Sequence, residues 1–65
     1  MKKYYKDFYG STASIEEIKR SGKTYFVLVT CVSNGELGRR RHCKTFRGAR
    51  IAMGKMSDGW NEVKS

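Results

Sequence analysis

"TYFVLVTCV", Thr24–Val32, is an uncharged run of aromatic, aliphatic and β-branched residues, and its reading decides the fold. Such side chains suit a pleated sheet. A run that is apolar without alternation marks a strand covered on both faces, so this one is expected to be the central strand. Upstream, Ser21-Gly22 inside "KRSGKTYFVLV" has the composition of a tight hairpin tip, which makes the preceding segment its partner strand. Ile15 and Ile18, three apart behind Ser14 and Glu16-Glu17, would also suit a capped helical turn. The strand reading is preferred because it completes the hairpin.

Downstream, Asn34-Gly35 signals a second turn, which Glu36-Leu37-Gly38 lengthens or widens with a bulge. Residues 39–45, "RRRHCKT", form the expected third strand. Alternation places Arg39, Arg41, Cys43 and Thr45 on one face and Arg40, His42 and Lys44 on the other. Cys31 stands opposite Cys43 if the loop centres on Leu37, and does not if it closes at Asn34-Gly35. Sequence leaves that register open.

From Phe46 the period changes. Ala49, Ala52, Met53 and Met56 recur on one helical face, with Thr45 placed to cap the start and Ser57-Asp58-Gly59 to end it. Gly48 and Gly54 each weaken this helix by about 1 kcal/mol against alanine, so it needs tertiary packing. Trp60 is expected to fold back onto the core.

The first ten residues, "MKKYYKDFYG", read as an aromatic-basic arm. Tyr4, Tyr5, Phe8 and Tyr9 lie among Lys2, Lys3 and Lys6, and Gly10-Ser11-Thr12 separates them from the rest. They suit either packing on an open sheet face or contacts to bases and phosphates. The expected organisation is an arm over residues 1–10, one β-β-β-α domain over 11–60 and a tail over 61–65. The fold class is α+β, a three-stranded antiparallel sheet against one C-terminal helix.

A chain of 65 residues holds one domain with a thin stability margin. No apolar run approaches the roughly 20 residues of a membrane span, and no long amphipathic basic helix suits a membrane surface. The basic N-terminus has no apolar stretch behind it, so no secretory signal is expected. Two cysteines are too few for a disulfide scaffold, and the expectation is a cytoplasmic protein with reduced thiols.

Cys31, His42 and Cys43 are the soft ligands available. A structural zinc site wants four, with closely spaced cysteine pairs, so no metal is expected. Adjacent His42 and Cys43 diverge on a strand and make a poor nucleophile–base pair. Asp7, Glu16, Glu17, Glu36, Asp58 and Glu62 form no evident acid–base pair. "GKTYF" lacks the glycine spacing of a phosphate loop. No enzyme, cofactor or small-molecule substrate is expected.

The net charge of +8 points instead to a polyanionic partner. "GRRRHCKTFRGAR", Gly38–Arg50, holds six Lys or Arg and no acid, more than solubility requires. The arginine fork suits phosphate and guanine. Arg39 and Arg41 could enter a major groove, and Arg47 and Arg50, on the helix face away from Ala49 and Met53, could meet phosphates. Nucleic acid is the leading partner, DNA ahead of RNA. An acidic protein surface, met by a small inhibitor or adaptor, is the alternative.

This layout resembles the small N-terminal arm-site DNA-binding domain of phage and transposon tyrosine integrases, whose architecture the plant ethylene-response-factor domains share. The matching features are Gly22-Lys23, Tyr25 to Val29, Asn34-Gly35, Arg39 to Lys44, Phe46 and Ala52, within residues 15–56. The resemblance implies a sheet laid in the major groove, with Lys23, Tyr25, Arg39, Arg41 and Lys44 as contacts; Arg40, Arg47 and Arg50 join them on charge. Gly48 and Gly54 depart from that family's helix. No recombinase domain follows, so a freestanding binder or lone fragment is expected. A double-stranded-RNA-binding domain also has three strands and a C-terminal helix, but its basic helix start with paired lysines is missing.

Overall fold

The computed structural model describes residues 1–32, 37–56 and 59–63. Five strands and one helix follow in the order β1 (Lys2–Lys6), β2 (Thr12–Arg20), β3 (Lys23–Cys31), β4 (Leu37–Cys43), α1 (Phe46–Met56) and β5 (Asn61–Val63). All pairings are antiparallel, in the spatial order β4-β3-β2-β1-β5.

The α+β class and the antiparallel sheet agree with the sequence, but the strand number does not: five strands replace the expected three. Residues 2–6, read as an arm, form β1, because pairing with β2 carries Tyr5 into the core. Residues 61–63, read as tail, pair with β1, so a strand follows the helix. Both added strands lie on the β2 side. β3 is therefore interior, between β2 and β4, while β2 takes the middle position.

The β2–β3 hairpin closes as its composition implies. Arg20 pairs with Lys23 across Ser21-Gly22, and both turn residues have positive φ, 53° and 75°. Two such residues twist the loop in the same sense as the strands it joins. The Asn34-Gly35 turn and the Ser57-Asp58 helix stop lie outside the described residues. The register beyond that turn is settled nevertheless. Cys43 pairs with Phe26 and Cys31 with Leu37, across an irregularity at Thr30/Cys31. The two cysteines are not opposite each other, and both are free thiols. Gly38 fills the irregularity. A Cβ there would lie 3.1 Å from Thr30 Oγ1 and 3.2 Å from the Thr30 carbonyl oxygen, so a larger residue would push the strands apart.

Pairing register divides the side chains between two faces. One face carries Tyr5, Ala13, Ile15, Phe26 and Leu28, and α1 covers it with Ala49, Ala52 and Met53. Ile15, Leu28 and Met53 are fully buried at its centre. Thr45 caps α1, its Oγ1 accepting from the Gly48 amide at 2.9 Å. Trp60 returns to the core, and its Nε1 donates to the Met53 carbonyl at 2.9 Å. That carbonyl belongs to the last turn of the helix, so the bond ties Trp60 to the end of α1.

Gly54 has no such constraint. It is exposed, and a Cβ there would meet nothing within 4 Å. Gly54→Ala is expected to stabilise the fold by about 0.5–1 kcal/mol, raising the melting temperature by about 4–8 °C per kcal/mol. Thermal unfolding followed by circular dichroism measures it, and a lower melting temperature would mean that this turn of helix packs against something.

Candidate nucleic-acid interface

The helix leaves the other face of the sheet bare. Strand pairing lays its side chains out in rows. At the hairpin end, Arg20 stands beside Lys23 and Ile18 beside Tyr25. The next row runs Lys2, Glu16, Val27, His42, and the one after it Val63, Tyr4, Ser14, Val29, Arg40. Lys6, Thr12 and Cys31 follow. Apolar and aromatic groups thus hold the centre, and Lys2, Lys6, Arg20, Lys23 and Arg40 stand around it. Glu16 is the one carboxylate in these rows.

Local chemistry shapes this surface. Side chains around Val27 and Val29 enclose a shallow depression of about 280 Å³, bounded by Lys2, Arg20, Tyr25, Arg40 and His42. Val27 is only 7% exposed although no helix covers it. The Tyr25 and His42 rings lie 5.5 Å apart, tilted by 41°. Lys2 holds its ammonium 5.3 Å from the Tyr4 ring centroid, a cation–π arrangement.

The hairpin end is also the narrowest part of the sheet. β1 pairs with β2 only as far as Glu16, and β4 reaches β3 only at Phe26. The pairs from Ile18–Tyr25 to Arg20–Lys23 therefore continue as a two-stranded ribbon beyond both neighbours. At about 3.4 Å per residue this ribbon projects roughly 10 Å.

The sequence-derived candidates fall in two places. Lys23, Tyr25 and Arg40 share the bare face. Arg39 and Arg41 are on the helix side, because they alternate with Arg40 and pair with Thr30 and Leu28. Arg47 is exposed on the helix, and Lys44 is exposed in the link between β4 and α1. Arg50 does not point away from the body as expected. It is half-buried, with its guanidinium carbon 5.1 Å from the Tyr5 ring centroid. Sequence reading missed Lys2, Lys6 and Arg20 as members of one surface. For the two lysines the signal was the charge of the first six residues, which became spatial only once β1 joined the sheet.

Other candidate chemistry is dispersed. His42 and Cys43 lie on opposite faces of β4. Among the described residues, no three His, Cys, Asp or Glu side chains are grouped so as to hold a metal ion. Asp7 is buried in the β1–β2 turn, where its Oδ1 accepts from the Tyr9 and Ser11 amides at 2.9 and 2.7 Å. Among the described residues, no helix is long and apolar enough to cross a membrane. Comparisons with protein families, curated proteins and solved structures return no match. The geometry of the bare face therefore carries the functional argument alone.

Proposed function

We propose that the protein binds duplex DNA without catalysis, laying the bare face of the sheet into the major groove with the β2–β3 ribbon leading. The observation that carries this reading is the charge of that face: among the described residues, Lys2, Lys6, Arg20, Lys23 and Arg40 against Glu16 alone. Dimensions support it. A two-stranded ribbon fits a groove about 12 Å wide, and three strands at about 4.8 Å spacing span roughly 10 Å between the outer pair. The deep, narrow major groove of duplex RNA excludes the same ribbon, which favours DNA. Tyr25 and Ile18 would meet base edges and thymine methyls, with the cations flanking them on phosphates.

One observation favours an acidic protein partner instead. Tyr4 and Val63 are each about half exposed beside the same cations and border a largely apolar hollow of about 460 Å³. Anisotropy titrations of labelled duplex DNA, single-stranded DNA and duplex RNA at several salt concentrations separate the two readings. Duplex DNA is expected to bind tightest. With five phosphate contacts, log K should fall against log salt with a slope of about −4.5. No binding to any of the three at low salt would overturn the nucleic-acid reading and leave the protein partner.

A further inference from the structure

We infer that the protein carries a second phosphate-binding surface, the groove between β4 and α1, and so bridges two segments of duplex DNA. This rests on the reading of the bare face as the first interface. The groove has a volume of about 380 Å³ and is lined by Arg39, Arg41, Ala52, Lys55 and Met56. Three cations converge there, and among the described residues no carboxylate lines it. Among the described residues, none of the three cations is in an ion pair. The carboxylates of Glu17 and Glu62 are engaged elsewhere, with the N-terminus and with Lys3.

The arrangement follows from strand alternation at a sheet edge. Arg39 and Arg41 lie two apart, so both leave β4 on the helix side. β4 is the outermost strand, so the row that is core at Leu28 and Ile15 ends in Arg41 at the rim. Lys55 closes the groove from the last turn of the helix, where a cation also complements the helix dipole. Two guanidinium forks and one ammonium around one hollow suit the doubly oxygenated phosphodiester group. Ala52 and Met56 add no side-chain acceptor that would compete for the cations.

The groove opens on the side of the sheet opposite the bare face. The molecule's two shorter dimensions are 21 and 19 Å. A duplex seated on the bare face would have to turn around the β4 edge to enter the groove. With a persistence length of roughly 150 base pairs, a short duplex does not bend that sharply. The phosphates in the groove would belong to a second duplex.

The test uses two duplexes of about 15 base pairs, well below that persistence length, labelled separately with donor and acceptor dyes. Anisotropy reads binding of one duplex, and energy transfer between the labels reads bridging. The wild-type protein is expected to give both at low salt. Arg39→Gln/Arg41→Gln/Lys55→Gln should keep its affinity for a single duplex within about twofold. Bridging should weaken at least tenfold, and the salt slope of the transfer signal should fall by about three. Binding without transfer in the wild type would overturn the inference and leave the first interface intact. Transfer that persists in the triple variant would also overturn it, since bridging would then come from paired protein copies. A matching loss of single-duplex affinity would overturn it too, by placing the groove within the first interface. No anisotropy change with any duplex would remove the duplex-DNA reading itself, and this inference with it.

Discussion

Leu28→Ala is expected to cost about 3 kcal/mol, at least about a third of the protein's stability. Leu28 is fully buried on β3, paired with Ile15 on one side and Arg41 on the other, in the core that α1 covers with Ala49, Ala52 and Met53. Truncating a buried leucine forfeits its transfer free energy and leaves a cavity that the surroundings fill only partly, for a total of about 2–5 kcal/mol. At about 0.05–0.15 kcal/mol per residue, a chain of this length has about 3–10 kcal/mol in all. The melting temperature should fall by about 12–24 °C. Val29, one residue further along β3, provides the contrast. It is half-buried on the face without a helix, and Val29→Ala should cost about 1 kcal/mol. Urea unfolding measures both as shifts of the midpoint at constant slope. Equal costs for the two truncations would mean that the helix does not cover the Leu28 face alone.

That contrast also marks how far the sequence was legible. The run from Thr24 to Val32 identified an interior strand because both of its faces are apolar. Ser21-Gly22 identified the turn, since few dipeptides tolerate two positive φ values. The helix was readable from Ala49, Ala52 and Met53 together with Thr45, where spacing and cap agree. β1 was not, because "KKYYK" buries only Tyr5, and one buried position in five residues shows no period. β5 was less readable still. All three of its residues are exposed, and pairing with β1 makes it a strand.

The candidate site was half legible for a related reason. Charge located the basic strand, and alternation separated Arg39 and Arg41 from Arg40. Which set faced the helix depended on the register against β3. That register was tied to a turn whose length the sequence left open, and a slip of one residue exchanges the two faces. The pairing of Cys43 with Phe26 and Arg41 with Leu28 decides it. Arg40 then belongs to the bare sheet, and its two neighbours to the groove beneath the helix.

Replacing Arg20, Lys23 and Arg40 together by glutamine is expected to weaken duplex binding by about 500-fold at 0.1 M salt. Each phosphate contact contributes about 0.9 to the log–log salt slope, a factor of about eight at 0.1 M relative to 1 M, and three such factors multiply. The slope itself should fall by about three. All three side chains are exposed, so the fold should be affected by no more than about 0.5 kcal/mol, which a thermal melt of the variant checks. Lys6→Gln at the far end of the same face should lower the slope by about one, because Lys6 lies beside Thr12, away from the ribbon. The residue-by-residue pattern separates positioning from reading. Glutamine at a phosphate contact weakens all sequences alike, whereas at a guanine contact it relaxes the preference for one base pair by about 1–3 kcal/mol and leaves the slope nearly unchanged. Arg20, at the tip of the ribbon, is placed to reach deepest into a groove, and its single replacement would show the second behaviour if it contacts guanine there. In that case the triple variant would lose about two from the slope, and its discrimination among duplex sequences would fall with it. A triple variant that binds like the wild type, with an unchanged slope, would exclude the bare sheet as the interface.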